Sequence, residues 1–191
     1  KDRGSNGNIL LRNDFSDAAA HGMEMTFSSE NEFVENTVER AAICGLWGGY
    51  GRRSLVLGNI FRECGGSGTK GERGGINIEH GSDWRVERNR FEGGGVGARF
   101  WWDTDAGLAK TPWSLASGVA STRISIVRNT FGSLELAIDL VKTTDSLVAD
   151  NKYTACKQEI VADAESKESL RTQATQDPAP DTAKYDAIIV G

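Results

Sequence analysis

The sequence predicts an all-β fold, a parallel solenoid of about six coils with three short strands in each. Three observations predict it. A triplet of Asn, any residue and a large apolar or aromatic residue recurs as Asn13-Asp14-Phe15, Asn36-Thr37-Val38, Asn59-Ile60-Phe61, Asn89-Arg90-Phe91, Asn129-Thr130-Phe131 and Asn151-Lys152-Tyr153. Successive Asn residues stand 23, 23, 30, 40 and 22 residues apart. The segments flanking each triplet alternate apolar and polar residues with period two, which is the pattern of strands. Finally, 23 glycines against three prolines in 191 residues supply many tight turns between extended segments.

Each element follows in order along a coil. A strand precedes the Asn, marked by Ile9 and Leu11, Leu55 and Leu57, Trp84 and Val86, Ile124 and Ile126. The Asn lies in a turn, and the apolar residue after it begins the next strand. A further alternating strand opens the following coil: GMEM (22–25), GLWG (45–48), GINI (75–78), GARF (97–100), AIDL (137–140) and EIVA (159–162). Coils stacked at the inter-strand spacing of about 4.8 Å place equivalent residues in columns. The Phe/Val/Tyr column is expected inside, and the Asn column is expected to form a ladder of carboxamides along the axis.

Composition narrows the function. The net charge of −5 and the pI near 5.2 give no basic face for nucleic acid. No apolar run approaches the length of about 18 residues that spans a bilayer, and the N-terminus KDRGSNGNILL has no apolar signal-peptide core. The chain is expected to be a piece of a longer protein with flanking domains. Cys44, Cys64 and Cys156 have no C-x-x-C spacing, so buried free thiols are expected rather than a zinc cage or disulfide framework.

The order of apolar strand, N-x-F, loop and G-I-x-I resembles the right-handed parallel β-helix repeat of pectate-lyase-like proteins over about residues 7–164. The stretch GLWGGYG…GGINIEHG…GARFWWDTD…TPW is also similar to a β-helix domain of large, secreted, planctomycete-type proteins. The resemblance implies a secreted or cell-surface location. It also implies that the G-I-x-I strands form the first sheet of each coil, the face on which polysaccharide enzymes of this shape bind their chains.

Insertions are where a solenoid places its function. Two coils are long, through RECGGSGTKGERG (62–74) and through WDTDAGLAKTPWSLASGVA (102–120), and the resemblance implies that both insertions flank the first sheet. The outward column of that sheet reads Glu24, Trp47, Asn77, Arg99, Asp139, Val161. Two residues further along stand Thr26, Gly49, Glu79, Trp101, Val141, Asp163. Trp47, Tyr50, Trp101, Trp102, Asn77 and Glu24 are the candidate substrate-binding residues, because sugars stack on aromatic rings and hydrogen-bond to flanking polar groups. Arg99, His80, Glu79, Asp103 and Asp139 are the candidate catalytic ones.

Lyase chemistry needs a base and a cation, for which His80 and Arg99 stand. Hydrolysis needs two carboxylates, for which Glu79 stands with Asp103 or Asp139. No complete constellation emerges, so lyase, hydrolase and epimerase chemistries stay open beside a noncatalytic spacer or adhesion solenoid. Arg99, Arg73 and Lys70 point to an acidic or sulfated polysaccharide as partner. No cofactor is expected. Asp103-x-Asp105 offers oxygens to Ca²⁺, but two carboxylates do not define a site. Trp113, behind Pro112, is expected to pin its insertion.

Residues 165–184 read as a polar linker or strap. Tyr185-Asp186-Ala187-Ile188-Ile189-Val190-Gly191 reads as the start of a strand. It resembles the first strand of a flavin-binding Rossmann domain without the G-x-G-x-x-G, and equally suits a β-sandwich or a further coil.

Overall fold

A computed structural model describes residues 4–67, 71–172 and 183–186. Three parallel sheets run along the chain's coils. The first contains His21–Thr26, Cys44–Gly49, Gly74–Glu79, Val96–Trp101, Leu136–Val141 and Gln158–Ala162. The second contains Ile9–Leu11, Glu32–Val34, Leu55–Leu57, Arg85–Glu87, Ser125–Val127 and Leu147–Ala149. The third contains Thr37–Glu39, Ile60–Arg62, Arg90–Glu92, Thr130–Gly132 and Lys152–Thr154. Each strand pairs with its equivalent in the coils before and after, as a solenoid requires.

The repeated Asn residues bind one another. Nδ2 of Asn13, Asn36, Asn59, Asn89 and Asn129 donates to Oδ1 of the next Asn at 3.2, 2.9, 2.9, 3.0 and 3.0 Å. The same oxygens accept the preceding Asn's backbone N–H, for instance Asn36 N–H to Asn59 at 2.8 Å. One side chain therefore satisfies turn groups on two coils, which explains why the residue recurs at a turn buried between two sheets. The aromatic column lies inside. Phe61, Phe91, Phe131 and Tyr153 stack nearly parallel at 5.1, 4.8 and 5.6 Å between centroids. From Val38 on, each apolar residue of the triplet is the central residue of its third-sheet strand rather than its first.

The Gly at the second position of four first-sheet strands follows from this stack. A Cβ on Gly75 falls 2.7 Å from the Phe91 ring and from the Gly97 carbonyl, so no side chain fits beneath the aromatic column there. Cys44 and Cys64 are buried and Cys156 half-buried, all as free thiols. Burial pushes the Cys44 and Cys64 thiols above their usual range.

The strap expected from residue 165 begins as a helix, Ala164–Ser169, at the turn after the strand Gln158–Ala162, and Arg171 beyond it bridges to Leu147 of the second sheet. Asp163 caps it by accepting from Ser166 N–H at 2.9 Å, and also accepts from Lys142 N–H at 2.9 Å. Tyr185 and Asp186, expected to open a strand, belong instead to the short helix Ala183–Asp186. Tyr185 is buried on the outer face of the second sheet against Val34 and Leu57, with its hydroxyl donating to Glu32 at 2.8 Å. The apolar contact and hydroxyl partner hold the segment down, and no strand neighbour is needed. Residues 173–182 and 187–191 lie outside the described residues, as does Lys70.

Candidate functional site

The first sheet carries the expected outward column in register: Glu24 opposite Trp47, then Asn77, Arg99, Asp139 and Val161. A third column, one residue past the strand ends, was not anticipated. Backbone bonds from Phe27, Tyr50 and His80 N–H to the ends of successive strands place Phe27, Tyr50, His80 and Trp102 above one another. Their rings follow at 4.4, 5.2 and 6.1 Å, the first two pairs stacked and the third tilted. Lys142 Nζ ends the column 5.6 Å from the Trp102 ring. The signal for it lay in the sequence. Each of these residues follows a member of the column Thr26, Gly49, Glu79, Trp101, Val141.

The insertion after Trp101 folds back over this aromatic edge. Thr111 caps the helix Pro112–Ser117 through Ser114 N–H, and Pro112 supplies the fixed φ of its first turn. Trp113 packs edge-on against Phe27 at 5.6 Å and Tyr50 at 5.7 Å, with the Arg52 guanidinium 4.6 Å from its ring. Trp113 thus pins the insertion. Arg52 fixes the return by donating to Gly118 O at 2.7 Å.

Between insertion and sheet lies a cavity of 410 Å³ lined by Thr26, Phe27, Trp47, Tyr50, Glu79, Asp105, Leu108 and Thr111. That volume falls within the range of about 300–1,000 Å³ typical of small-molecule sites. Trp47 also stacks on His21 at 5.6 Å, and its buried Nε1–H has no acceptor among the described residues. A second cavity, of 310 Å³, opens at the strand starts of later coils, among Arg73, Arg99, Glu135, Asp139 and Lys157. Asn77 and Trp101 stand on the strands between the two, next to Arg99 of the second cavity.

The predicted catalytic residues divide into two groups. Glu79, His80 and Asp103 converge, with His80 Nε2 3.6 Å from Glu79 Oε1 and 3.9 Å from Asp103 Oδ1. Burial, then the neighbouring Asp103, Glu72 and Asp105 carboxylates, push Glu79 up to about 7. Arg99 and Asp139 form a separate pair at 2.9 Å, with Arg99 also 5.5 Å from the Trp101 ring. Burial raises Asp139 above the usual carboxylate range, while Arg99 opposes that rise.

The substrate-binding candidates also separate. Trp47 and Tyr50 line the larger cavity, and Glu24 is exposed beside Trp47. Asn77 lies in the predicted register but is 0% exposed, because the loop before its strand folds over it. Its Nδ2 donates to Gly71 O at 2.8 Å, and its Oδ1 accepts from Trp101 Nε1 at 2.8 Å. Trp102 donates to Lys142 O at 2.6 Å, which anchors it at the turn. Asp105 does not join Asp103. It accepts from Gly107 and Leu108 N–H at 2.8 and 2.9 Å and so closes a turn.

Residues 2–111 match the family described as "Right handed beta helix region". The chain belongs to the right-handed β-helix family. No curated protein matches it. Here the insertion and the first sheet place aromatic faces and the Glu79 and Asp105 carboxylates around a cavity, with the buried His80 imidazole beside Glu79.

Proposed function

We propose that the chain is a carbohydrate-binding β-helix module that holds an extended acidic polysaccharide across its first sheet. The observation carrying this reading is the 410 Å³ cavity with Trp47, Tyr50 and Phe27 as apolar surfaces and Glu79, Asp105, Thr26 and Thr111 as hydrogen-bonding groups. A sugar ring offers one apolar face for stacking and a rim of hydroxyls for such groups. The acidic preference is supported by Arg73, Arg99 and Lys157 around the second cavity. A ligand crossing the sheet diagonally passes Trp101 and meets Arg99 at the second cavity.

The test is tryptophan fluorescence titrated with neutral and acidic oligosaccharides, on the native chain and on Trp47→Ala and Arg99→Ala. The expected result is a saturable change with an acidic oligomer, abolished in Trp47→Ala and weakened in Arg99→Ala. A change that survives Trp47→Ala refutes this placement. The second reading, a noncatalytic spacer or adhesion solenoid, draws support from the sealed Asn77, the anchored Trp102 and the Arg99–Asp139 pair. Silence toward every saccharide is the result that favours it.

A further inference from the structure

We propose that Glu79, His80 and Asp103 bind a divalent first-row transition metal ion, with Zn²⁺ the occupant their chemistry favours. Nitrogen and oxygen ligand atoms of the three residues all lie within 4.8 Å of one another. Their arrangement follows from the solenoid. Glu79 ends its first-sheet strand and pairs with Trp101 one coil later, which brings Asp103 beside His80 as the insertion departs. The insertion's return supplies Val119 O to the other side of the imidazole.

The imidazole is built as a ligand. His80 Nδ1 lies 2.6 Å from Val119 O. A carbonyl oxygen only accepts, so Nδ1 carries the proton and the neutral ring's lone pair sits on Nε2. That nitrogen has no hydrogen-bond partner among the described residues, and the side chain is 1% exposed. Tyr50 stacks on the ring at 5.2 Å and Trp102 flanks it at 6.1 Å, so the ring cannot swing toward water. An orphaned buried nitrogen aimed between two carboxylates costs stability unless something joins them.

Spacing favours a metal over a shared proton. A charge-assisted hydrogen bond draws N and O to about 2.7–2.9 Å. A tetrahedral ion with ligand distances of about 2.1 Å instead holds its ligand atoms about 3.4 Å apart. The observed 3.6 and 3.9 Å lie nearer the second value. Imidazole also excludes Ca²⁺ and Mg²⁺ as preferred occupants, since those ions take oxygen ligands. Three protein ligands leave one position open to water or to an oxygen of a bound ligand. Glu79 lines the 410 Å³ cavity, so ion and cavity share a wall.

The experiment needs no saccharide, so its outcome is separate from that of the carbohydrate reading. Chelator-stripped protein carrying Cys156→Ser, which removes the half-buried thiol, is titrated with Zn²⁺ by calorimetry and with Co²⁺ by visible absorption. One ion per chain is expected, with Co²⁺ displaced by Zn²⁺. Asp103 is 61% exposed, so Asp103→Asn retains the fold, which circular dichroism checks. Its Zn²⁺ affinity is expected to fall at least about tenfold, as is that of His80→Gln. Asp150→Asn, at an exposed turn outside both cavities, is expected to bind as the parent does. The proposal is overturned by no saturable Zn²⁺ binding, by unchanged affinity in Asp103→Asn, or by tighter binding of Ca²⁺ than of Zn²⁺.

Discussion

Removing one rung of the Asn ladder should cost far more at its centre than at its end. Asn59 is 0% exposed. Its Oδ1 accepts from Asn36 N–H at 2.8 Å and Asn36 Nδ2 at 2.9 Å. Its Nδ2 donates to Phe33 O at 2.8 Å and Asn89 Oδ1 at 2.9 Å. Asn59→Ala therefore strands the Asn36 amide proton inside the turn and deprives the Phe33 carbonyl of this donor. One orphaned buried group costs about 1–3 kcal/mol, and each of the three further lost bonds about 1 kcal/mol, so a total of about 4–6 kcal/mol is expected. Asn13 is exposed, and its side-chain Nδ2 donates to Leu11 O and Asn36 Oδ1 at 3.1 and 3.2 Å. Water replaces those bonds, and Asn13→Ala should cost no more than about 1 kcal/mol. Urea unfolding followed by far-ultraviolet circular dichroism reads both values from midpoint and slope. Equal losses at the two positions would refute the ladder as a source of stability.

Other substitutions probe different parts of the molecule. In metal-free protein, Glu79 has a folded pKa of about 7 against an ordinary 4.5, so the folded chain keeps a proton that the unfolded chain has lost. Its contribution is therefore intact below pH 4.5 and is lost as pH rises toward 7, by about 3 kcal/mol in all. Glu79→Gln should flatten that slope in urea titrations at several pH values, and an unchanged slope contradicts the assignment. Glu87, wholly buried, meets Arg85 at 2.7 Å and Arg128 at 2.9 Å. Glu87→Ala should cost about 2–3 kcal/mol, the two arginines being partly hydrated; a loss under about 0.5 kcal/mol would count against it. Ala155 is exposed in a left-handed turn with φ of 54°. Ala155→Gly should stabilise the chain by about 0.5–1 kcal/mol, visible as a raised midpoint, and destabilisation would show that the turn is not strained.

Much of this architecture was legible because a solenoid repeats its register. The triplets from Asn13 to Tyr153 align themselves, and period two then assigns Trp47, Asn77, Arg99 and Asp139 to one outward column. Facing outward proved different from being exposed. Asn77 occupies its predicted register yet is sealed beneath the loop carrying Gly71, and nothing in local periodicity states where a loop folds. The helix Pro112–Ser117 had its Thr-Pro start in plain view, but six residues are too few to display a helical period. Tyr185 failed as a strand start because the Val34 and Leu57 face that receives it is far away in sequence. The meeting of Glu79, His80 and Asp103 was half legible. Pairing Glu79 with Trp101 predicts the approach of Asp103, whereas the Val119 carbonyl that fixes the imidazole depends on the insertion's return path.

The most direct test of the central claim is a crystal structure of the chain soaked with an acidic oligosaccharide. The account predicts sugar density in the cavity, with one ring against Trp47 and Tyr50 and hydroxyls toward Glu79 and Asp105, and with the chain leading past Arg99. Density confined to the second or third sheet, or an unoccupied cavity at saturating ligand, would contradict it.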